Sequence, residues 1–155
     1  LLIEKDNEVE RKFEDATNYL FEARLGHKPL TLVGTEHPDG ALSYRDELIY
    51  WDNKSKETPV NIKDHLKQFD AYVRSADKKV ACFLVIGPDF TPESAVLAMQ
   101  YQVQNGTTIT LISAAELKAL AEEWSSKDST NLGTPFPLGY LIQPGRFNRA
   151  LVTLA

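Results

Sequence analysis

The sequence predicts an α/β domain: a mixed central β-sheet flanked by helices. Three observations carry this expectation. Helical and strand-like segments alternate in the order α-β-β-β-α-β-α-β-α, which mixes hairpin connections with helical crossovers. Residues 80–86 form a continuous apolar run, the pattern of a central strand buried on both faces. The chain has 155 residues, 43% of them hydrophobic and 25% charged, enough for one core of ordinary size and incompatible with wholesale disorder. Residues 1–155 are therefore expected to form a single domain.

Taken in order, residues 6–25 carry an apolar stripe of Val9, Phe13, Leu20, Phe21 and Leu25 with charges between, and Gly26 fits a helix C-cap. Three strand-like runs follow, at 30–33, 41–44 and 47–53, separated by turn signals at Pro38-Asp39-Gly40 and around Arg45-Asp46. Residues 61–73 return to helical spacing through Ile62, Leu66, Phe69 and Val73. Thr91-Pro92 opens the next helix as N-cap and first helical residue, and Asn105-Gly106 closes it. The β-branched run 107–112 is a strand, and Ser113 with Glu116 forms a capping box that starts a helix to about Ser125. Residues 125–133 are polar and read as a loop. The remaining tail, within the extension 126–155, reads either as two short strands or as a loop and a helix.

Composition removes several function classes. No apolar run approaches the ~18 residues of a membrane span, and the acidic residues 1–10 are no secretory leader. The single Cys82 excludes an intrachain disulfide, and His27, His37 and His65 lack zinc-ligand spacing. Nothing requires an oxidising compartment, so an intracellular, cytoplasmic protein is expected. No Gly-rich phosphate loop and no nucleophile elbow is present. A net charge of −5 argues against a domain that grips DNA by itself. It leaves room for a metal-dependent nuclease whose grip lies elsewhere. The chain does not begin with Met, which fits a piece of a longer protein.

The chemistry concentrates in Pro38-Asp39-Gly40 followed by Asp52-Asn53-Lys54. Residues two apart on a strand share a face, so Asp52 and Lys54 point the same way. Hairpin pairing of the second and third strands returns Asp39 beside them. Two close carboxylates repel and call for a cation. Oxygen ligands suit Mg²⁺, which keeps waters and accepts a phosphate oxygen. The lysine neutralises phosphate charge and helps activate water. This is equipment for metal-assisted phosphodiester hydrolysis. A decoy copy exists, Pro88-Asp89 with Glu116-Leu117-Lys118, but Glu116 belongs to a helical capping box, where positions two apart do not share a face.

The spacing is the PD…(D/E)-x-K pattern of restriction-endonuclease-like nucleases, and residues 11–44 resemble the FokI-like cleavage domains of type IIS restriction enzymes. Glu14, Gly26 and Pro38-Asp39-Gly40-Ala41 fall in that family's register without a gap, and Asp52-Asn53-Lys54 stands where the family has Asp-Thr-Lys. Cys82-Phe83-Leu84-Val85, Asn105-Gly106 and residues 113–117 extend the resemblance to about Glu122. It implies a restriction-endonuclease-like core, Mg²⁺ (with Mn²⁺ able to substitute) held by Asp39, Asp52 and the Asn53 backbone carbonyl, and Lys54 as catalytic residue. It makes Glu14 a candidate for orienting a metal-bound water. Gln68 and Tyr72, four apart on one helix face, resemble an accessory Gln-x-x-x-Tyr pair of RecB-like nucleases. Lys63 and Lys67 on the same helix are candidate phosphate contacts. The implied partners are double-stranded DNA, a separate recognition domain, and a second copy of the chain, transiently or stably, for double-strand cleavage; no membrane is implied. Two rivals stand beside this: another nuclease of the same fold, for resolution, transposition or repair, and a nuclease-like module that only binds.

Overall fold

The computed structural model describes residues 2–34, 36–55, 57–126 and 134–152, with side chains from Glu8 onward. Helix α1 (Leu2–Tyr19) runs into a wider π turn (Leu20–Arg24), and Gly26 ends it with φ of 79°, as a C-cap glycine does. Strands β1 (Gly40–Tyr44) and β2 (Glu47–Asn53) form a hairpin. A 3₁₀ turn (Ile62–Asp64) precedes α2 (Leu66–Ser75), so the expected helix 61–73 is broken near His65. Then come β3 (Val80–Gly87), α3 (Pro92–Asn105), β4 (Thr108–Ser113) and α4 (Ala114–Ser126). Both expected caps form: Thr91 accepts from Ser94 N–H, and Ser113 and Glu116 exchange two hydrogen bonds of 3.0 Å.

The five-stranded sheet has the order β1-β2-β3-β4-β5, with β1 antiparallel to β2 and every other pair parallel. Strand alternation sends alternate side chains into two cores. Ile49, Trp51, Cys82, Leu84 and Ile86 pack with Phe21 and Leu25 from the end of α1 and with Leu117 and Leu120 of α4. Leu48, Tyr50, Phe83 and Val85 pack with Phe69 of α2 and with Ala98 and Tyr101 of α3. β3 is buried from both sides, as its apolar run predicts.

Two expectations fail. Residues 30–33 are not a strand: Leu30 N–H donates to Ala41 O at 2.8 Å, but no ladder follows and Val33 is 85% exposed. The tail takes neither predicted form. It contains two 3₁₀ turns (Leu138–Leu141 and Arg149–Leu151) and a two-residue strand, β5 (Gly145–Arg146), that extends the sheet beyond β4. Phe136, Leu138, Leu141, Phe147 and Val152 join the core on the α1–α4 side. The predicted loop 125–133 lies largely outside the described residues.

Candidate active site

Register builds the site. The two-residue turn Arg45-Asp46, with φ of 48° and 65°, closes the hairpin with both central residues in the left-handed region. It sets Tyr44 opposite Glu47 and, at the far end, Gly40 opposite Trp51. One step further along this register, Asp39 faces Asp52. Pro38-Asp39-Gly40 is thus a strand entry and not the turn its composition suggests. Gly40 is required for a different reason: a Cβ there would lie 1.9 Å from Trp51 Cζ2. The Trp51 ring is fixed in turn against Phe21, with centroids 4.6 Å apart.

At the end of β2, Asp52 is only 6% exposed, and its Oδ2 lies 2.6 Å from Lys54 Nζ. Lys54 N–H donates to Ile86 O at 2.7 Å, continuing the pairing with β3 one residue past the strand. Beside it, a Cβ on Gly87 would lie 3.0 Å from Val60 Cγ2, so the glycine eases the packing of Val60 there. The Lys54 ammonium also sits 5.6 Å from the Phe69 ring centroid, on the α2 side. Between them, Asn53 N–H donates to Asp39 Oδ2 at 2.7 Å. One cavity of 220 Å³ gathers Asp39, Asp52, Asn53 and Lys54 with Glu14 from α1 and Gln68 and Tyr72 from α2. Lys63 and Lys67 are exposed and do not line it.

The field in this cavity is negative. Asp39 is pushed up to about 7, first by burial and then by the Asp52 charge, against the opposing bond from Asn53 N–H. Glu14 is raised by burial and by Glu10, Asp15 and Asp52. Tyr72 is raised by burial and by Asp52 and Asp39. Lys54 supplies the one ammonium lining the cavity among the described residues. It pairs with Asp52 Oδ2 at 2.6 Å, so the two facing carboxylates share a single ammonium. Two facing carboxylates with one ammonium between them are costly to keep ionised together, and a further cation relieves this. Among the described residues no three His, Cys, Asp or Glu side chains converge as a metal cage. The donor set that fits is two carboxylates and a backbone carbonyl, all oxygen, which suits Mg²⁺ with its remaining waters.

Other candidates resolve as structure. Glu116 of the decoy motif is occupied in its capping box, and Asp89 pairs with Arg146 at 3.4 Å. Cys82 is fully buried and its thiol is pushed up to about 12 by burial. Thr17 escaped notice in the sequence. It is 3% exposed and its hydroxyl lies 3.2 Å from Asn53 Oδ1. The available signal was a polar residue interrupting the apolar stripe, four positions from both Phe13 and Phe21.

A family model described as "FokI, cleavage domain" matches residues 2–134. A solved structure of restriction endonuclease FokI superposes with a TM-score of 0.70, and one of FokI bound to DNA with 0.65. Both are 16% identical and cover 90% of this chain but 28% of the FokI chain. No curated protein matches. The chain thus spans about a quarter of the FokI length, and at this identity the structural likeness concerns the fold.

Proposed function

Because the chain belongs to the family of FokI cleavage domains, we propose that it is the Mg²⁺-dependent DNA-cleaving module of a type IIS-like restriction enzyme. The observation that carries this reading is Asp39 facing Asp52 across the hairpin, with Lys54 Nζ 2.6 Å from a buried Asp52 oxygen. Asp39, Asp52 and the Asn53 carbonyl are the residues that would hold the metal. A bound Mg²⁺ supplies an activated water and offsets charge on the phosphodiester.

The chain's own residues do the rest. Asp52 anchors the Lys54 ammonium, which faces the phosphate, neutralises its developing charge and polarises the attacking water. Asn53 N–H fixes the Asp39 carboxylate through its 2.7 Å bond, in the cavity that Asp52 also lines. Glu14 approaches from α1 and orients water there. Gln68 and Tyr72 close the α2 side and position the DNA backbone.

One such site cuts one strand, so a double-strand break takes a second copy or sequential nicks. A net charge of −5 leaves sequence recognition to a part of the protein beyond these residues. A restriction enzyme would work in a prokaryotic cytoplasm, which is the compartment this reading implies; no helix among the described residues is long and apolar enough to cross a membrane. The family match favours this reading over resolution, transposition or repair, and the complete Asp39, Asp52 and Lys54 set favours an enzyme over a binding module. The test is nicking of supercoiled plasmid at high protein concentration, with Mg²⁺ and with chelator. Mg²⁺-dependent nicking that Asp52→Ala removes supports the reading; cleavage that persists in chelator overturns it.

A further inference from the structure

We propose that Thr17 is a positioning residue for the metal-holding end of β2, acting through the Asn53 side chain to fix the peptide segment between Asp52 and Lys54. The inference rests on the Mg²⁺-nuclease reading and adds a residue that neither the motif nor the family register marks.

The local chemistry of Thr17 does not need Asn53. Its hydroxyl donates to Phe13 O at 2.9 Å, one turn back in α1. A hydroxyl has a single hydrogen, and here that hydrogen is committed. The 3.2 Å contact with Asn53 is therefore a hydrogen bond with the amide turned so that its Nδ2 donates to the hydroxyl oxygen, and it is made by a residue buried between the apolar positions Phe13 and Phe21. Valine would fill the same space and preserve the helix face. The Asn53 amide is no better explained by stability alone. Turned this way, its oxygen takes the buried place that has no hydrogen-bond partner. The fold thus retains a buried, half-satisfied amide at this position.

What the arrangement achieves lies in the Asn53 backbone. Its N–H holds Asp39 Oδ2 at 2.7 Å. Its carbonyl is the proposed third oxygen donor. Its neighbours in the chain are Asp52 and Lys54. Side chains alternate along a strand, so Asn53 reaches α1 while Asp52 and Lys54 face the other way. A side chain tethered on the α1 side restrains the torsions of the residue whose peptide groups serve the metal. Partners one step behind the ligands commonly set metal affinity in this way.

The experiment is Mn²⁺ binding to the chain without DNA, followed by titration calorimetry, for the parent, Thr17→Val, Thr17→Ser, Asn53→Ala and the Thr17→Val/Asn53→Ala double variant. Asp52→Ala is the control. Thr17→Val and Asn53→Ala are each expected to weaken Mn²⁺ about 10-fold. The double variant is expected to be no weaker than either single one, because both break one link. Thr17→Ser, which keeps the hydroxyl, is expected to bind like the parent. A purely structural Thr17 would shift the melting temperature and leave the binding constant in place; that result overturns the proposal. If Thr17→Val does not fold, Asn53→Ala decides, and parent-like Mn²⁺ binding by it overturns the proposal. Parent-like binding by Asp52→Ala is a different failure: it removes the metal site itself, and the proposal with it.

Discussion

Thr110 and Asp52 are both buried polar residues on interior strands of one sheet, and their surroundings are built on opposite plans. Around Thr110 the polar groups are paired. Its hydroxyl donates to Leu141 O at 2.8 Å and accepts from Gln143 N–H at 3.1 Å. The Gln143 amide donates to Tyr140 O at 2.9 Å and accepts from Asn148 N–H at 2.7 Å. The result is a stitched seam that ties the C-terminal tail to β4. Around Asp52 the groups are held close but left wanting: two carboxylates sharing one ammonium, one of them raised to about 7, and an amide half-satisfied. The first cluster serves stability alone. The second keeps its unfavourable terms, and a bound cation is what would relieve them.

Removing groups from each cluster tests that contrast. The largest expected effect is on activity: Asp52→Ala or Lys54→Ala should lower plasmid nicking by about 10³-fold or more, equivalent to about 4 kcal/mol of transition-state stabilisation. Circular dichroism should show both variants folded. Parent-like nicking by Asp52→Ala would break the contrast outright.

Thr110→Val should do the reverse. It removes the bond to the Leu141 carbonyl and one of two acceptors of the Gln143 N–H, which keeps Leu141 O at 3.1 Å, so urea unfolding should report a loss of about 0.5–1.5 kcal/mol. The folded fraction should cleave at the parent rate. An unchanged urea midpoint would mean that the seam is not structural.

A third test reads the carboxylate pair through pH. The folded-state pKa of Asp39, about 7, lies above its ordinary 3.8, so between these values the folded protein binds more protons than the unfolded one. Stability from this group is present below about pH 4 and is lost as pH rises towards 7. In chelator, the melting temperature should therefore fall across this window more steeply for the parent than for Asp39→Asn. Parallel curves would show that the two carboxylates do not strain each other.

The smallest effect is expected at Glu14, which stands at the rim of the cavity. Glu14→Gln should raise the Mg²⁺ concentration for half-maximal nicking several-fold and leave the melting temperature nearly unchanged. A Mg²⁺ titration that overlays the parent curve would return Glu14 to the role of a solvated helix residue.

Local signals in the chain determined most of the framework. Helix caps at Thr91, Ser113 and Gly26 act within one turn, and the apolar run of β3 depends only on its own residues, so both are legible without tertiary context. The same holds for Asp39, Asp52 and Lys54, because strand alternation and a two-residue turn fix which side chains can meet. What only the tertiary structure decided involves partners distant in sequence. Residues 30–33 have the alternation of a strand but find one backbone bond to Ala41 and no ladder, and a strand exists only where an edge receives it. Gly40 owes its identity to the Trp51 ring across the hairpin and not to a turn. The tail lacks periodicity because its apolar residues fill the space left beside β4 and α4 instead of lining one face of an element. Thr17 is, in the sequence, only a polar residue between Phe13 and Phe21, and its partner Asn53 lies 36 residues away. Periodicity records which face of an element is buried, and it carries no information about which neighbour does the burying.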